Sequence, residues 1–412
     1  MKVLQLNITY KEGSTGKIVY EIHKQLLNDG HSSMVIYGQG SENEDDDLMK
    51  VTSLNEWRLY GLYSRLSGFP YSGCFWSTKT ILKIIENVNP VVVHLHVING
   101  HFVNHFRLLN HLKAQKIFTV ITLHAEFMYT GKCGHAYECN KWITGCGKCP
   151  QRNSAPKFWL FDRTASEWKR KEAIYNGFNN LRIVSVSPWI NDRAKQSPFF
   201  KDKSLSVIGN GIDTVNVFRP SNTNELRKKH DIKNDEKILL HVTASFKDPF
   251  KGGKYILKLA SMFLSEKIKI IVLGDNGFKG DVPENVILLK HVKDQSELAK
   301  YYSMADLTIL TSKRETFSMV CAESLACGTP VVGFKAGAPE QIALKNYSEF
   351  VDNGDVKSLE LCIHKWINIK TSISDKLVEE AQFHYSRERM IEKYLEIYNN
   401  CQSIVKEEVS SE

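Results

Sequence analysis

Two glutamates stand out because they lie at a fixed spacing within a largely apolar stretch. Glu315 follows the apolar run 307–310, which predicts a buried strand, and residues 317–326 have the composition of a helix. Glu323 lies on that helix, a little over two turns beyond Glu315, and Gly328 ends it before a second apolar strand. The pattern predicts carboxylates at the carboxyl edge of a parallel sheet, where such sheets bind ligands. The alternative, a solvated surface pair, is disfavoured by the apolar flanks.

Three lysines fall in one glycine-bearing loop. The loop spans residues 244–254, between a predicted strand and an apolar helix, and contains Lys247, Lys251 and Lys254. Lysine near the amino end of a helix is a common arrangement for binding a diphosphate. A solvated basic loop is the alternative, and the two glycines favour a ligand site.

The first third of the chain offers a histidine and a second glycine loop. A histidine at the end of a strand is usually structural, but His124 ends the predicted strand 118–124 directly before a polar, irregular loop, which strengthens the alternative of a site residue. Gly13-Ser-Thr-Gly16-Lys17 precedes an amphipathic helix but is not a P-loop, which has four residues between its glycines and Ser or Thr after its lysine. The loop is equally consistent with a tight turn and with a ligand close to the backbone.

Four of the nine cysteines cluster in the glycine-rich loop 130–150, with the spacing C-x5-C-x6-C-x2-C. Four thiols on such a loop in a cytosolic protein suggest a closed, tetrahedral structural zinc site. Two disulfides or simple thiols are the alternatives. The candidate ligands are Cys133, Cys139, Cys146 and Cys149.

Length and composition indicate an ordinary globular protein with more than one domain. The chain has 412 residues, 42% hydrophobic and 24% charged, with a net charge of +8. It contains no apolar run long enough to span a bilayer, and its first residues resemble a strand more than a cleavable signal. A cytoplasmic protein is therefore expected.

Aromatic residues and leucines are concentrated between residues 41 and 80. We expect Leu59, Leu62 and Leu66 to form one side of a helix packed into the core. A docking surface for an amphipathic acceptor or a membrane is the alternative.

Strand and helix patterns occur in two sets, which predicts an α/β protein with two doubly wound, Rossmann-like domains. The first domain is placed at residues 1–213 and the second at 214–383. An amphipathic helix over 384–402 follows, and residues 403–412 are expected to be frayed.

Together these features resemble the retaining GT-B glycosyltransferases of family 4. The most specific match is Glu315-Thr-Phe-Ser-Met-Val-Cys-Ala-Glu323 followed by Ala326-Cys-Gly-Thr-Pro-Val-Val. Asn210-Gly-Ile-Asp213 and Gly337-Ala-Pro-Glu340 support it. Thr122-Leu-His124 with the cysteine loop is similar to bacterial exopolysaccharide and lipopolysaccharide enzymes.

The resemblance implies that two domains face a cleft, the first binding an acceptor and the second a nucleotide-diphosphate sugar. Glu323 would accept the ribose hydroxyls, Glu315 would contact the sugar hydroxyls, and Lys251 would neutralise the leaving diphosphate. Donor contacts would also come from Thr316, Phe317 and Ser318.

In the first domain, the resemblance places His124 near the reacting carbon and gives Gly16 the role of letting the domain close over the phosphates. The terminal helix would cross back onto this domain. The acceptor would be a saccharide or a lipid-linked molecule at the inner face of the membrane. No metal cofactor is expected for catalysis, because lysines neutralise the diphosphate.

Two departures from the family pattern bear on the site. Phe246 occupies a position that is often arginine, so Lys247 or Lys254 would supply the second positive charge. Thr316 and Ser318 stand where glycines often flank the phenylalanine.

Two other functions compete with this one. A nucleotide-sugar epimerase or hydrolase of the same fold would turn over the donor without an acceptor. A zinc and nucleic-acid binding module is disfavoured because the basic residues are dispersed along the chain.

Overall fold

The computed structural model describes residues 1–43, 45–275 and 277–410, with side chains described throughout these ranges except at 370–374 and 404–410. The chain forms two compact units. One comprises Met1–Gly209 together with the chain from Ile391 onward, and the other comprises Asn210–Met390. The first boundary lies four residues before the one placed at 213.

The first unit contains a parallel sheet flanked by helices. Its strands are β1 (Lys2–Thr9), β2 (Ser32–Gln39), β3 (Leu48–Lys50), β4 (Val92–Leu95), β5 (Phe118–Leu123), β6 (Leu181–Ser185) and β7 (Ser204–Val207). Its first helices are α1 (Gly13–Asn28), α2 (Leu54–Ser67), α3 (Phe75–Val88), α4 (His105–Ala114), α5 (Thr164–Tyr175) and α6 (Pro188–Gln196). The strand order is β3-β2-β1-β4-β5-β6-β7.

The second unit repeats this architecture. Its strands are β8 (Lys237–Val242), β9 (Ile268–Leu273), β10 (Val286–Leu289), β11 (Leu307–Leu310), β12 (Val331–Phe334) and β13 (Ser348–Val351). They form a parallel sheet in the order β10-β9-β8-β11-β12-β13. The helices are α7 (Asn224–Lys229), α8 (Gly253–Met262), α9 (Gln295–Met304), α10 (Met319–Ala326), α11 (Pro339–Ile342), α12 (Val356–Trp366) and α13 (Lys370–His384).

The strand orders confirm the predicted doubly wound α/β class. In each sheet the chain builds outward in one direction and then returns to build in the other, so the order reverses between β1 and β4 and between β8 and β11. Ligands of open α/β sheets bind outside the carboxyl ends of the strands at such reversals. A ligand site is therefore expected in the loops that follow these four strands.

The last helix, α14 (Arg387–Ser410), starts in the second unit and continues in the first. The expected crossing back to the first domain is thus present. Residues 403–410 of the expected frayed tail belong to this helix, and residues 411 and 412 lie outside the described ones. Within the described ranges, none of the helices is both long enough and apolar enough to span a bilayer.

Two local predictions also need correction. The strand at Leu307–Leu310 is present, but helix α10 begins at Met319, because Phe317 and Ser318 belong to the loop before it. Leu59, Leu62 and Leu66 are exposed and do not pack into the core as expected. Apolar periodicity identifies a helix face, but it cannot tell whether that face points inward or outward.

Candidate functional site

The loops after β8 and β11 are pressed together because their strands are neighbours in the sheet. Gly252 makes this possible: its φ is +79°, and a Cβ there would lie 2.1 Å from the carbonyl oxygen of Thr311. The hydroxyl of Thr311 donates to the carbonyl of Gly252 at 3.2 Å, and the Lys313 amide donates to the carbonyl of Phe250 at 2.8 Å. These contacts bring the lysine loop to the segment that carries Glu315.

Lys251 and Glu315 form an ion pair at this junction. The lysine Nζ donates to the glutamate Oε1 at 2.8 Å, and both side chains are partly buried. Burial acts to lower the pKa of Lys251, but the charge and hydrogen bond of Glu315 and the nearby Asp248 outweigh it, so the pKa lies above its ordinary value. A fixed positive charge is therefore present where the strand order reverses.

The backbone of Glu315 is held by the segment after β12. Its amide donates to the carbonyl of Ala336 at 3.0 Å, and its carbonyl accepts from the amide of Ala338 at 3.2 Å. Glu340 accepts from the Gly337 amide at 3.0 Å and thereby closes the turn. The Gly337-Ala-Pro-Glu340 motif thus supports Glu315 directly.

Glu323 is buried on α10 and has a partner that the sequence did not reveal. The hydroxyl of Tyr302, on α9, donates to Oε2 of Glu323 at 2.9 Å. Burial, together with the negative charge of Glu323, raises the pKa of Tyr302 well above its ordinary value. The tyrosine therefore remains a neutral donor that fixes the orientation of the carboxylate.

Ser318 adopts a conformation that favours glycine. Its φ is +83°, and its side chain accepts from the amide of Cys321 at 3.4 Å, capping α10. Phe317, just before it, is buried. The positive φ explains why a glycine often stands here in the family that the sequence resembles.

The remaining basic positions of the lysine loop differ in surroundings. Phe246, at the position often taken by arginine, is buried in the core, and its ring contacts that of Phe278 edge-on at 5.3 Å between centroids. Lys247 and Lys254 are exposed, and the Lys254 ammonium lies 4.7 Å from the centroid of the Tyr255 ring. Lys251, by contrast, is partly buried and paired with Glu315.

In the first unit, a chain of hydrogen bonds leads from β1 to His124. Nε2 of His96 lies 3.2 Å from the Gln5 Oε1, and Nδ1 of His96 lies 3.2 Å from Nε2 of His124. His96 thus connects the ring of His124 to β1 and helps to hold it in place.

Two tyrosines of α14 hold this cluster from the other side. His94 hydrogen-bonds to the Tyr398 hydroxyl at 2.6 Å and to the Thr122 hydroxyl at 2.7 Å. Tyr394 lies 3.0 Å from the same Thr122 hydroxyl. The crossing helix is therefore bonded to the carboxyl ends of β4 and β5, just before His96 and His124.

Burial keeps the histidines of this cluster neutral. It lowers the pKa of His124 to about 3 and lowers those of His94 and His96 well below the ordinary value, with neighbouring histidines adding to the effect on the latter two. His124 can therefore accept or donate a hydrogen bond near neutral pH, but it is not a proton donor in the acid–base sense.

Gly16 lies in the first turn of α1, after β1. A Cβ at this position would come within 2.9 Å of the Thr9 Oγ1 and within 3.3 Å of the Lys11 amide nitrogen. The close approach of the preceding loop thus favours glycine at this position, whether or not a ligand also binds there.

The four clustered cysteines surround one small cavity of about 20 Å³ and remain thiols, so the disulfide alternative is wrong for them. The buried Lys132 secures their loop by donating to the carbonyls of Gln151, Ser154 and Pro156. Within the described ranges, no group of three or more His, Cys, Asp or Glu side chains is arranged so that it could hold a metal ion.

The two doubly wound units and the returning helix have the architecture of the GT-B glycosyltransferases. Family models agree: one described as Glycosyltransferase Family 4 matches residues 15–216, and one described as Glycosyl transferases group 1 matches residues 222–383. The chain belongs to glycosyltransferase family 4.

Individual relatives match over nearly the whole chain. WcaC of Escherichia coli K12, named as a colanic acid biosynthesis glycosyl transferase, is 23% identical over 97% of this chain and 100% of its own length. N-acetyl-alpha-D-glucosaminyl L-malate synthase of Bacillus anthracis is 25% identical over 94% of this chain and 93% of its own. The structure of Anabaena HepE with UDP-glucose has a TM-score of 0.65 at 16% identity, covering 97% of this chain and 100% of its own, which shows a shared fold.

Proposed function

We propose that this glycosyltransferase moves a sugar from a nucleotide-diphosphate sugar to a saccharide or lipid-linked acceptor, with retention of the anomeric configuration, in the biosynthesis of a surface polysaccharide. The observation that carries the proposal is the Lys251–Glu315 pair at the strand reversal of the second unit. Similarity to WcaC along the full length supports the polysaccharide role. The UDP-glucose bound to HepE makes UDP-sugars the first donors to test.

The chemistry follows from charge. Breaking the sugar–phosphate bond leaves negative charge on the diphosphate and positive character on the anomeric carbon. We assign neutralisation of the diphosphate to Lys251, whose raised pKa keeps it charged. Attack on the same face, with the leaving phosphate taking the acceptor proton, would retain configuration without a side-chain nucleophile.

Glu315 and Glu323 are proposed to recognise hydroxyls. Carboxylates with two acceptor oxygens each suit the sugar and the ribose, respectively. Further donor contacts are assigned to the loop before α10 and to the exposed basic residues, namely Thr316, Phe317, Ser318, Lys247 and Lys254.

From the first unit, we assign His124 to the donor sugar and Gly16 to the approach of the backbone toward phosphate. His124 would act through a hydrogen bond, since its pKa of about 3 keeps it neutral. We place the enzyme in the cytoplasm at the inner face of the membrane, because nucleotide sugars are the proposed donors.

The test is transfer of label from nucleotide sugars to a membrane extract. Wild type should transfer label from one of the UDP-, GDP- or dTDP-sugars, Glu315→Ala should lose nearly all of it, and the exposed Glu284→Ala should match wild type. The anomeric configuration of the product, read by NMR, decides retention. Donor consumption without an acceptor would instead indicate an epimerase or hydrolase.

A further inference from the structure

Helix α2 carries its apolar residues on the side that faces solvent. Its buried positions are Tyr60, Gly61 and Ser64, whereas Leu59, Leu62, Tyr63 and Leu66 point outward. A surface helix of a globular protein normally shows the reverse arrangement. Packing into the core of the protein therefore does not account for the apolar side chains on the outward side of α2.

The exposed apolar surface extends beyond this helix. Tyr63 contacts Phe75 of α3 edge-on at 6.0 Å between centroids, and Tyr60 lies 6.2 Å from Trp76. At the other end of α2, the Trp159 amide donates to the carbonyl of Arg65 at 2.8 Å. We call this surface the apolar face. It is 41–62% exposed at each member: Leu59, Leu62, Tyr63, Leu66, Phe75, Trp76, Trp159, Leu160 and Phe161.

Cations lie among and around these side chains. The Arg65 guanidinium lies 5.7 Å from the Trp159 ring, and that of Arg163 lies 5.2 Å from the Phe161 ring. Exposed Arg58 precedes Leu62 by one turn of α2, and the exposed Lys79 and Lys83 follow Trp76 along α3. Glu56, an acidic residue in the first turn of α2, forms a capping box with Ser53.

We propose that the apolar face is a docking surface for a bilayer that contains anionic lipids. Leucine, tryptophan and phenylalanine on one side of a helix, with lysine and arginine beside them, is the composition of helices that lie in the membrane interface. Tryptophan and tyrosine favour the headgroup level, and the cations favour an anionic leaflet. The surface deepens the proposed function, since it would bring the enzyme to a lipid-linked acceptor.

The charges argue against a second copy of the chain as the occupant. In a symmetric dimer built on this face, each patch would meet its own counterpart. The cations of one copy would then lie against those of the other, which is unfavourable. An anionic bilayer, by contrast, complements the cations and the apolar side chains together.

Vesicle flotation tests the proposal without donor or acceptor, so its outcome is independent of the transfer reaction. Wild type should float with phosphatidylcholine vesicles that contain about 30% phosphatidylglycerol and float less with phosphatidylcholine alone. The variant L59S/L62S/W76S/W159S should reduce the bound fraction by about tenfold or more. The matched control L361S/F383S changes two equally exposed side chains of the second unit and should float like wild type.

Charge is tested separately with R58E/K79E/K83E, which should lose binding to the anionic vesicles while keeping the apolar side chains. Transfer to a water-soluble acceptor should be unchanged in both patch variants, so loss of docking and failure of the proposed reaction are distinguishable. Thermal unfolding at the wild-type temperature establishes that the variants fold. If the fourfold variant does not fold, a blue shift of wild-type tryptophan emission on anionic vesicles decides instead.

Three results would overturn the proposal. One is wild type that remains unbound to both kinds of vesicle and shows no emission shift. Another is a folded fourfold variant that floats as well as wild type. The third is wild type that sediments as a dimer without vesicles while the variant is monomeric, which would make the apolar face an interface between copies of the chain.

Discussion

The ammonium nitrogen of Lys251 lies 2.8 Å from a carboxylate oxygen of Glu315, although 64 residues separate them in the chain. Neither residue has to move to form the pair, because the loops that carry them are bonded to each other through Gly252 and Thr311. If Lys251 neutralises the leaving diphosphate, its charge is already in place before the donor arrives. Such preorganisation is what electrostatic catalysis requires.

Removing this charge should slow transfer strongly. Lys251→Ala should lower kcat on the order of 10²–10³-fold, the usual cost of deleting one preorganised stabilising group. Lys258 is an exposed residue of α8, the helix that follows the lysine loop. Lys258→Ala therefore serves as the control and should keep the wild-type kcat. Steady-state kinetics with the active donor measures both. A Lys251→Ala enzyme with wild-type kcat would contradict the assignment.

Tyr302→Phe tests the role of Glu323 in binding the donor. Losing the hydroxyl that orients the carboxylate should raise KM for the donor by roughly 5–10-fold, the size of one hydrogen bond, with little change in kcat. Tyr301→Phe is the matched control, because that hydroxyl bonds to His230 instead. A selective fall in kcat would show that Glu323 acts on the reacting centre and not on the ribose.

The strand–helix–strand unit around Glu315 and Glu323 was predictable from the sequence. Its apolar runs, its helix composition and the glycine that ends the helix all lie within one short stretch of the chain. The pairing of Lys251 with Glu315 was not, because it depends on β8 lying beside β11, and sheet order is absent from local pattern. Gln5 and Tyr398 reach the histidine cluster across 91 and 304 residues for the same reason.

The outward side of α2 shows a different limit. The spacing of Leu59, Leu62 and Leu66 is the same whether a helix faces a core or a membrane, so periodicity alone predicted burial. The signal that could have separated the two was the small and polar character of Gly61 and Ser64, which occupy the opposite side.

The histidine cluster should make the protein sensitive to acid. Burial lowers the pKa of His94, His96 and His124 in the folded state, whereas the unfolded chain binds a proton at each near pH 6.5. Stability is therefore full above about pH 6.5 and falls as the pH drops below it, because the unfolded chain then binds more protons than the folded one. Thermal unfolding between about pH 7 and pH 5 should show a falling Tm.

The cluster's share of this acid sensitivity can be isolated. His96→Gln removes one group that titrates, so its stability should depend on pH less steeply by about one proton. Ser261→Ala, which changes an exposed, uncharged residue of the second unit, should keep the wild-type slope. Equal slopes in all three proteins would show that His96 does not stay neutral on folding.

Ser318→Gly should stabilise the second unit. The serine holds φ at +83°, a conformation that costs a non-glycine residue roughly 1–2 kcal/mol. Losing the hydrogen bond from the Cys321 amide to the Ser318 side chain costs only a few tenths of a kcal/mol of stability when glycine replaces serine. Tm should therefore rise by about 2–4 °C per kcal/mol gained, whereas Ser318→Ala, which keeps the strain and loses the cap, should lower it. A Tm that falls in both variants would show that the cap outweighs the strain.

A structural zinc at the cysteine loop stays a prediction, and metal analysis of the purified protein checks it. The thiols of Cys133, Cys139, Cys146 and Cys149 line one cavity, although among the residues that the structure describes no group of three or more such side chains is placed to hold a metal ion. One equivalent of zinc is expected, and less than about half an equivalent would argue against the site.

Replacing a ligand separates a structural zinc from adventitious metal. Cys146→Ser should remove the zinc and lower the Tm, because binding to the folded state alone contributes to stability. Cys362→Ala, in the second unit and outside the loop, should leave the zinc content at one equivalent. A chelator should lower the Tm of wild type and leave Cys146→Ser unaffected. If wild type and Cys146→Ser contain equal zinc, the metal is held elsewhere and the loop rests on contacts such as those of Lys132.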